Sequence, residues 1–246
     1  MNKYLLNFCY DGSDFHGWQI QEEHITIQST MENCLSKIFK IDTNVVASGR
    51  TDSSVHAYNQ YAHFSAETKM QPENIIKALN SLLPNTIYIK NCKVVDTDFH
   101  ARFSAKRRTY LYKINKTFNP FERNFTAFFP TKKINSEKIV EAIKYLIGIY
   151  DFEVFARDTS NLNNCLCKVF FAKWKEYENQ FHFYITANRF LHNMVRRIIG
   201  TLLKISHYDL PDNYINEILE KQDNKMLGQT APPQGLYLYN VEYDEK

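Results

Sequence analysis

Lys168-Val-Phe-Phe-Ala-Lys-Trp-Lys175 and Phe181-His-Phe-Tyr-Ile-Thr-Ala187 are both dense in aromatic and β-branched residues, and only five residues separate them. Such a pair reads as two strands joined by a short turn, and strands this close in sequence pair antiparallel, because a parallel partner needs a crossover of about a dozen residues or more. Residues 190–204 follow, with Leu191, Met194, Val195, Ile198, Ile199 and Leu202 forming one apolar stripe at helical spacing. Strand, strand, helix is the order of an α+β fold. Outward from there the same grammar recurs. A short helix near 213–220 and a last strand around 236–243 follow; a strand at 109–115 and a helix at 136–147, with Asn135 or Ser136 as cap and Gly148 as stop, precede.

The first half reads alike: a strand at 3–10 ending in Asp11-Gly12, a helix from Ile27 capped by Thr26, and strands at 44–48 and 60–65 around Ser48-Gly49. A helix then starts at Pro72, a favoured first helical position, and a strand runs over 86–95. The expectation is an α+β protein of two similar halves, each a largely antiparallel sheet with helices on one face. Residues 1–104 form the first half and residues 105–246 the second.

With 246 residues, 44% apolar and 23% charged, the chain has the make-up of an ordinary globular protein able to bury a core without disulfides. No stretch approaches the roughly 18 apolar residues of a membrane span, and Met1-Asn2-Lys3-Tyr4 runs straight into a strand without signal-peptide organisation, so no membrane partner and a cytoplasmic address are expected. Glycine is scarce: there are seven, where average usage would give roughly 17. Each is therefore expected where the backbone needs it. No Gly-x-Gly-x-x-Gly is present, and Gly12 to Gly17 is followed by Trp18-Gln19, without the lysine and hydroxyl of a phosphate-binding loop. Five scattered cysteines read as reduced, incidental thiols; Cys165-x-Cys167 lacks a second pair, and no His-x-x-x-His is present, so no metal is expected.

The net charge of +3 is uneven. Residues 1–100 carry net −3 and residues 134–246 net −2, whereas residues 101–133 set Arg102, Lys106, Arg107, Arg108, Lys113, Lys116, Arg123, Lys132 and Lys133 against Glu122 alone, net +8. Phe103, Tyr110, Tyr112, Phe118 and Phe121 interleave these cations, pairing charge with stacking surface as RNA-binding segments do.

Chemistry is expected at Ser48-Gly-Arg-Thr-Asp-Ser-Ser-Val-His-Ala57, where small polar residues that bury little surround Arg50 and Asp52. A carboxylate beside a cation in a dry pocket can act as a nucleophile. On the helix of residues 190–204, Arg196 and Arg197 flank the apolar stripe, and either could snorkel or pair with a buried anion.

Five blocks together carry a resemblance: Tyr10-Asp-Gly-Ser-Asp-Phe-His-Gly-Trp-Gln19, Ser48-Gly-Arg-Thr-Asp52 with Val55-His-Ala57, Phe99-His-Ala-Arg-Phe-Ser-Ala-Lys-Arg-Arg-Thr-Tyr-Leu-Tyr112, Phe190-Leu-His-Asn-Met-Val-Arg196, and Gly228-Gln-Thr-Ala-Pro-Pro-Gln-Gly-Leu-Tyr-Leu238. In order, and from residue 4 to about 242, the chain resembles the tRNA pseudouridine synthase A family. The resemblance implies isomerisation of uridine to pseudouridine in the anticodon stem-loop of tRNA (family positions 38 to 40), without cofactor or metal, by a homodimer with its active-site cleft between the two halves of the chain. Asp52 matches the catalytic aspartate, which adds to the ribose or base or assists deprotonation of the sugar. Arg50 matches a residue that holds the target nucleotide out of its stack. Tyr110 matches the tyrosine that stacks on the base, and Arg196 the arginine that pairs with the aspartate. Lys106, Arg107 and Arg108 become phosphate contacts, with Arg102 and Arg197 as further RNA contacts.

The chain departs from the family pattern at Ser54, where glycine is usual. If that position needs a positive φ, serine costs on the order of 1 kcal/mol. Two other readings compete. A catalytically silent RNA-binding protein on this scaffold would lack Asp52, Tyr110 or Arg196, and all three are present. A glycosidic hydrolase would need a second acid beside Asp52, for which only Asp11 and Asp14 stand in a motif.

Overall fold

The computed structural model describes residues 1–130, 134–160 and 162–244; Lys132 and Lys133 of the basic segment lie outside the described residues. Its strands are β1 (Asn2–Tyr10), β2 (Val46–Ala47), β3 (His56–Ala66), β4 (Ile87–Val95), β5 (Ala105–Asn115), β6 (Ala127–Phe128), β7 (Gly148–Asp151), β8 (Leu166–Glu176), β9 (Gln180–Ala187) and β10 (Leu236–Tyr243). The helices are α1 (Ile27–Phe39), α2 (Pro72–Leu82), α3 (Ser136–Ala142), α4 (Met194–Tyr208) and α5 (Tyr214–Lys221). The fold is α+β, as the order of elements predicts. Two compact units are present: Met1–Lys106 with Tyr237–Lys246, and Arg107–Leu236. The first crossing of the chain lies two residues from the expected division at 104/105, and the last strand belongs with the first unit.

In the first unit β1 is central, antiparallel to β3 (Tyr4↔Phe64) and to β4 (Tyr4↔Val94). The outer edge of β3 is shared: β2 pairs there antiparallel (Val46↔His63), and β10 pairs parallel (Tyr237↔His56, Leu238↔Ala57). That parallel pairing is what returns the C-terminal strand to this unit. Thr26 caps α1 through a reciprocal box with Ser29, satisfying backbone donors that the first helical turn leaves open. Helix α1 buries Ile27, Met31, Cys34 and Leu35, and its Phe39 meets Phe64 of β3, which in turn stacks on Tyr4 of β1. Each such fully buried aliphatic side chain stabilises by about 1.5–3 kcal/mol.

The second unit repeats the plan in the order β5–β9–β8–β7, antiparallel throughout, with β6 added parallel to β5. The two aromatic stretches at 168–175 and 181–187 are β8 and β9, registered Trp174↔Phe183. Helix α4 begins at Met194 and not at residue 190, because its N-cap Asn193 sits at φ +62°, in left-handed backbone that a helix cannot continue through. It runs to Tyr208, four residues beyond the expected end, where Asp209 at φ +50° closes it. The expected helix 136–147 is α-helical only to Ala142; residues 143–146 tighten into a 3-10 turn and Gly148, at φ +140°, opens β7 instead of ending a helix. Strands β6 and β7, of two and four residues, are too short to show a period.

Inside α4, Gly200 meets Gly228 backbone to backbone: a Cβ on Gly200 would lie 1.9 Å from the Gln229 carbonyl oxygen, and one on Gly228 1.9 Å from that of Gly200. Alanine is the better helix former by about 1 kcal/mol, yet Gly200→Ala forces these backbones apart, and overpacking of this kind costs about 1–3 kcal/mol or more. Calorimetry should show a melting temperature lowered by roughly 2–12 °C, at about 2–4 °C per kcal/mol for a chain this size.

Candidate active site

The Ser48–Ala57 segment lies in the first unit, a loop from β2 that enters β3 at His56, and is held by the first sequence block. Trp18 N–H donates to the Thr51 carbonyl (3.0 Å), Ser54 N–H to the Phe15 carbonyl (3.2 Å), and Gly12 N–H to His56 Nδ1 (3.0 Å). Backbones approach here as closely as atoms allow. A Cβ on Gly12 would lie 2.1 Å from the Val55 carbonyl oxygen, and one on Gly17 2.7 Å from that of Thr51. Gly17 also sits at φ +85°, where side chains are strained.

Beneath the loop runs a buried polar network. The Tyr10 hydroxyl bonds Thr51 Oγ1 (2.8 Å), and burial pushes its phenol up to about 12, so that it stays neutral. Gln60, fully buried, accepts from Ser48 Oγ (2.7 Å) and from its neighbour Tyr61 N–H (3.1 Å), and donates to the Gly49 carbonyl (2.9 Å). Ser48 and Thr51 are buried as well. The expectation that the loop's polar residues bury little is corrected for these two: they are polar because the backbone and side chains beneath them need partners. His56 Nδ1 lies between the Gly12 N–H and Asp11 Oδ1, the latter at 3.2 Å. Asp52 is half-buried and Arg50 exposed on this frame. Ser54 lies at φ +61°, the left-handed region that the glycine of the pattern would occupy without strain.

Tyr110 and Arg196 lie in the second unit, on β5 and α4. Tyr110 is buried, with Phe190 edge-on against its ring at 5.0 Å. Arg196 Nε donates to the Ala231 carbonyl (2.8 Å) and its Nη1 to Asn193 Oδ1 (2.7 Å), while Ala231 N–H returns a bond to the Arg196 carbonyl (3.1 Å). Fixed at its Nε and Nη1, this guanidinium has a defined orientation. Arg197 turns inward, donating to the carbonyls of Val154 and Ala156, and burial lowers its pKa.

A family model described as tRNA pseudouridine synthase matches residues 8–104 and 142–244, more than half of the chain. The chain belongs to the tRNA pseudouridine synthase family. It is 40% identical over 256 residues to tRNA pseudouridine synthase A of Limosilactobacillus reuteri (strain DSM 20016), covering all of both chains. It is 41% identical over 246 residues to that of Caldicellulosiruptor saccharolyticus, covering 99% of this chain and 100% of the relative. Tyr110 and residues 105–133 of the basic segment fall between the two stretches matched by the family model and within these full-length likenesses.

The synthase's basic segment divides into inward and outward cations. Arg108 is buried and donates to the Asn188 carbonyl (2.8 Å), whereas Arg107 lies over the Phe170 ring at 4.6 Å, Arg102 over Phe103 at 5.6 Å, and Lys106 pairs with Asp244 at 2.9 Å, both exposed. Of the two candidates for a hydrolase's second acid, Asp11 accepts from Ser13 N–H and Oγ, a turn cap, and lies 3.2 Å from His56 Nδ1, and Asp14 is exposed. All five cysteines are free. Cys165 lies with Asp151 and Glu153, their donor atoms within 4.8 Å of one another; burial and those carboxylates push its thiol up.

Tyr10, Ser48, Thr51 and Gln60 support the loop, and no spacing or motif in the sequence marks them for that role. Two substitutions test the frame in urea titrations. Ser54→Gly should raise stability by about 0.5–1 kcal/mol, the left-handed cost of serine less the extra chain entropy of glycine. Gln60→Leu should lower it by about 1–3 kcal/mol by leaving buried groups at Ser48, Gly49 and Tyr61 unsatisfied.

Proposed function

We propose that this synthase isomerises uridine to pseudouridine in the anticodon stem-loop of tRNA, at positions 38 to 40 by likeness to its family, with Asp52 as the catalytic carboxylate. The observation that carries the reading is the frame under Asp52: a loop fastened by backbone contacts at two glycines and by a buried polar network supports one half-exposed carboxylate and one exposed arginine. A catalytic group must be held to within about half an ångström, and rigid second-layer partners achieve that.

The reaction breaks the bond from C1′ of the ribose to N1 of uracil and forms one from C1′ to C5; C5 gives up its proton and N1 takes one up, so the product is an isomer of the substrate. Nothing is oxidised or reduced; the step calls for a carboxylate that adds or takes a proton, a held nucleotide and a stacking face. Asp52 serves the ribose or base, and Arg50 holds the nucleotide outside its helix, where unstacking costs a few kcal/mol. Tyr110 supplies the flat face for the uracil, and Arg196, by likeness to the family, is the cation that works with the aspartate. Lys106, Arg107 and Arg102 meet phosphates. A homodimer in the cytoplasm is part of the same reading.

Unmodified tRNA transcripts incubated with the protein and mapped by carbodiimide-dependent primer extension should show new stops in the anticodon arm, absent with Asp52→Ala. No stops, or equal stops with the variant, overturn the assignment. Reversing Lys106 and Arg107 together should flatten the dependence of log K on log salt by about one unit for each phosphate that is no longer neutralised. Arg108 is left out of that variant because its guanidinium is buried.

A further inference from the structure

The turn Phe99–Ser104 in the first unit is tightly fastened, yet it holds an aromatic ring out into water. Ala101 is fully buried; its N–H donates to Nδ1 of the buried His63 (3.1 Å) and its carbonyl accepts from the Tyr243 hydroxyl (2.8 Å). Within the turn His100 N–H donates to Ser104 Oγ (3.0 Å), Ser104 N–H to the His100 carbonyl (2.8 Å), and the N–H groups of Arg102 and Phe103 converge on His100 Nδ1 (3.2 and 3.3 Å). The His100 ring then lies against Phe103 at 4.3 Å, with the Arg102 guanidinium 5.6 Å from the same ring centre. Even so, Phe103 is 75% exposed.

A single exposed phenylalanine on a loose loop is ordinary. Here the backbone is fixed by groups that leave the phenylalanine unburied, so the order of the turn serves to present the ring. We propose that Phe103 is a stacking platform for an unpaired base of the RNA substrate, with Arg102 beside the ring to meet the adjoining phosphate. The occupant follows from the pairing: a flat apolar face of base size next to a cation, at the start of the stretch 101–133 that carries net +8, matches a nucleotide's base and phosphate and not an apolar protein surface. The inference rests on the tRNA reading above and deepens it, since Phe103 is a binding residue outside the loop that carries Asp52.

The test compares Phe103→Ala, Phe103→Trp and Arg102→Ala with the wild-type chain, in binding to an unmodified tRNA transcript over a series of salt concentrations. Stacking is worth roughly 5- to 150-fold in affinity per base. Phe103→Ala should weaken binding within that range with its salt slope unchanged, because no charge is removed; Phe103→Trp should bind like wild type; and Arg102→Ala should flatten the slope. The tryptophan of Phe103→Trp should lose emission when tRNA is added, measured against the wild-type signal of Trp18 and Trp174. Wild-type affinity in Phe103→Ala, or unquenched emission in Phe103→Trp while pseudouridine is still formed, overturns the platform and leaves the activity standing. A change of oligomeric state in Phe103→Ala without loss of tRNA affinity assigns the ring to a contact between copies of the chain and also overturns it. A wild-type chain that neither binds nor modifies tRNA overturns both readings.

Discussion

The arrangement around Asp52 depends on backbones meeting where a side chain cannot fit. Gly12 and Gly17 bring the turn after β1 against the carbonyls of Val55 and Thr51, at distances that a single Cβ would forbid. Every other support follows from that approach: the bonds from Trp18, Gly12 and Ser54, and the Tyr10 hydroxyl reaching Thr51. A loop held this way has little freedom to relax. The loop also tolerates Ser54 at φ +61°, a strain that persists because the surrounding contacts over-determine the backbone.

The interior beneath the loop is polar where a core would ordinarily be apolar. Tyr10, Gln60, Ser48 and Thr51 are buried together, and each described polar contact among them satisfies a group that burial would otherwise leave without water. In a low-dielectric setting such a network is worth most when complete, and it specifies one geometry rather than a range. Catalysis by placement requires that property of a scaffold, and hydrophobic packing alone supplies less of it.

The cations show how one residue type serves two purposes. Arg108 and Arg197 give their donors to backbone carbonyls inside the second unit, and Arg196 ties α4 to the segment at Ala231. Arg102, Arg107 and Lys106 stay at the surface beside aromatic rings or an exposed carboxylate. The net +8 of residues 101–133 therefore overstates the charge that an RNA could meet.

Much of this was legible in the residues. The pairing of β8 with β9 follows from two aromatic, β-branched runs five residues apart, the cap at Thr26 from a hydroxyl before an apolar period, and the family from an ordered set of motifs. These are local properties, set by spacing along the chain. Tertiary structure alone decided the rest. Helix α4 starts at Met194 because Asn193 takes a left-handed turn; β10 returns to the first unit because its partner is β3, some 180 residues earlier; Gln60 becomes a support because Ser48 and Gly49 fold back over it. Arg107 and Arg108 are neighbours of one type in one strand, and their opposite fates follow from the alternation of side chains across a sheet and from what each face meets. Composition fixes which chemistry a chain carries, whereas burial and approach distance are set by residues far apart in sequence.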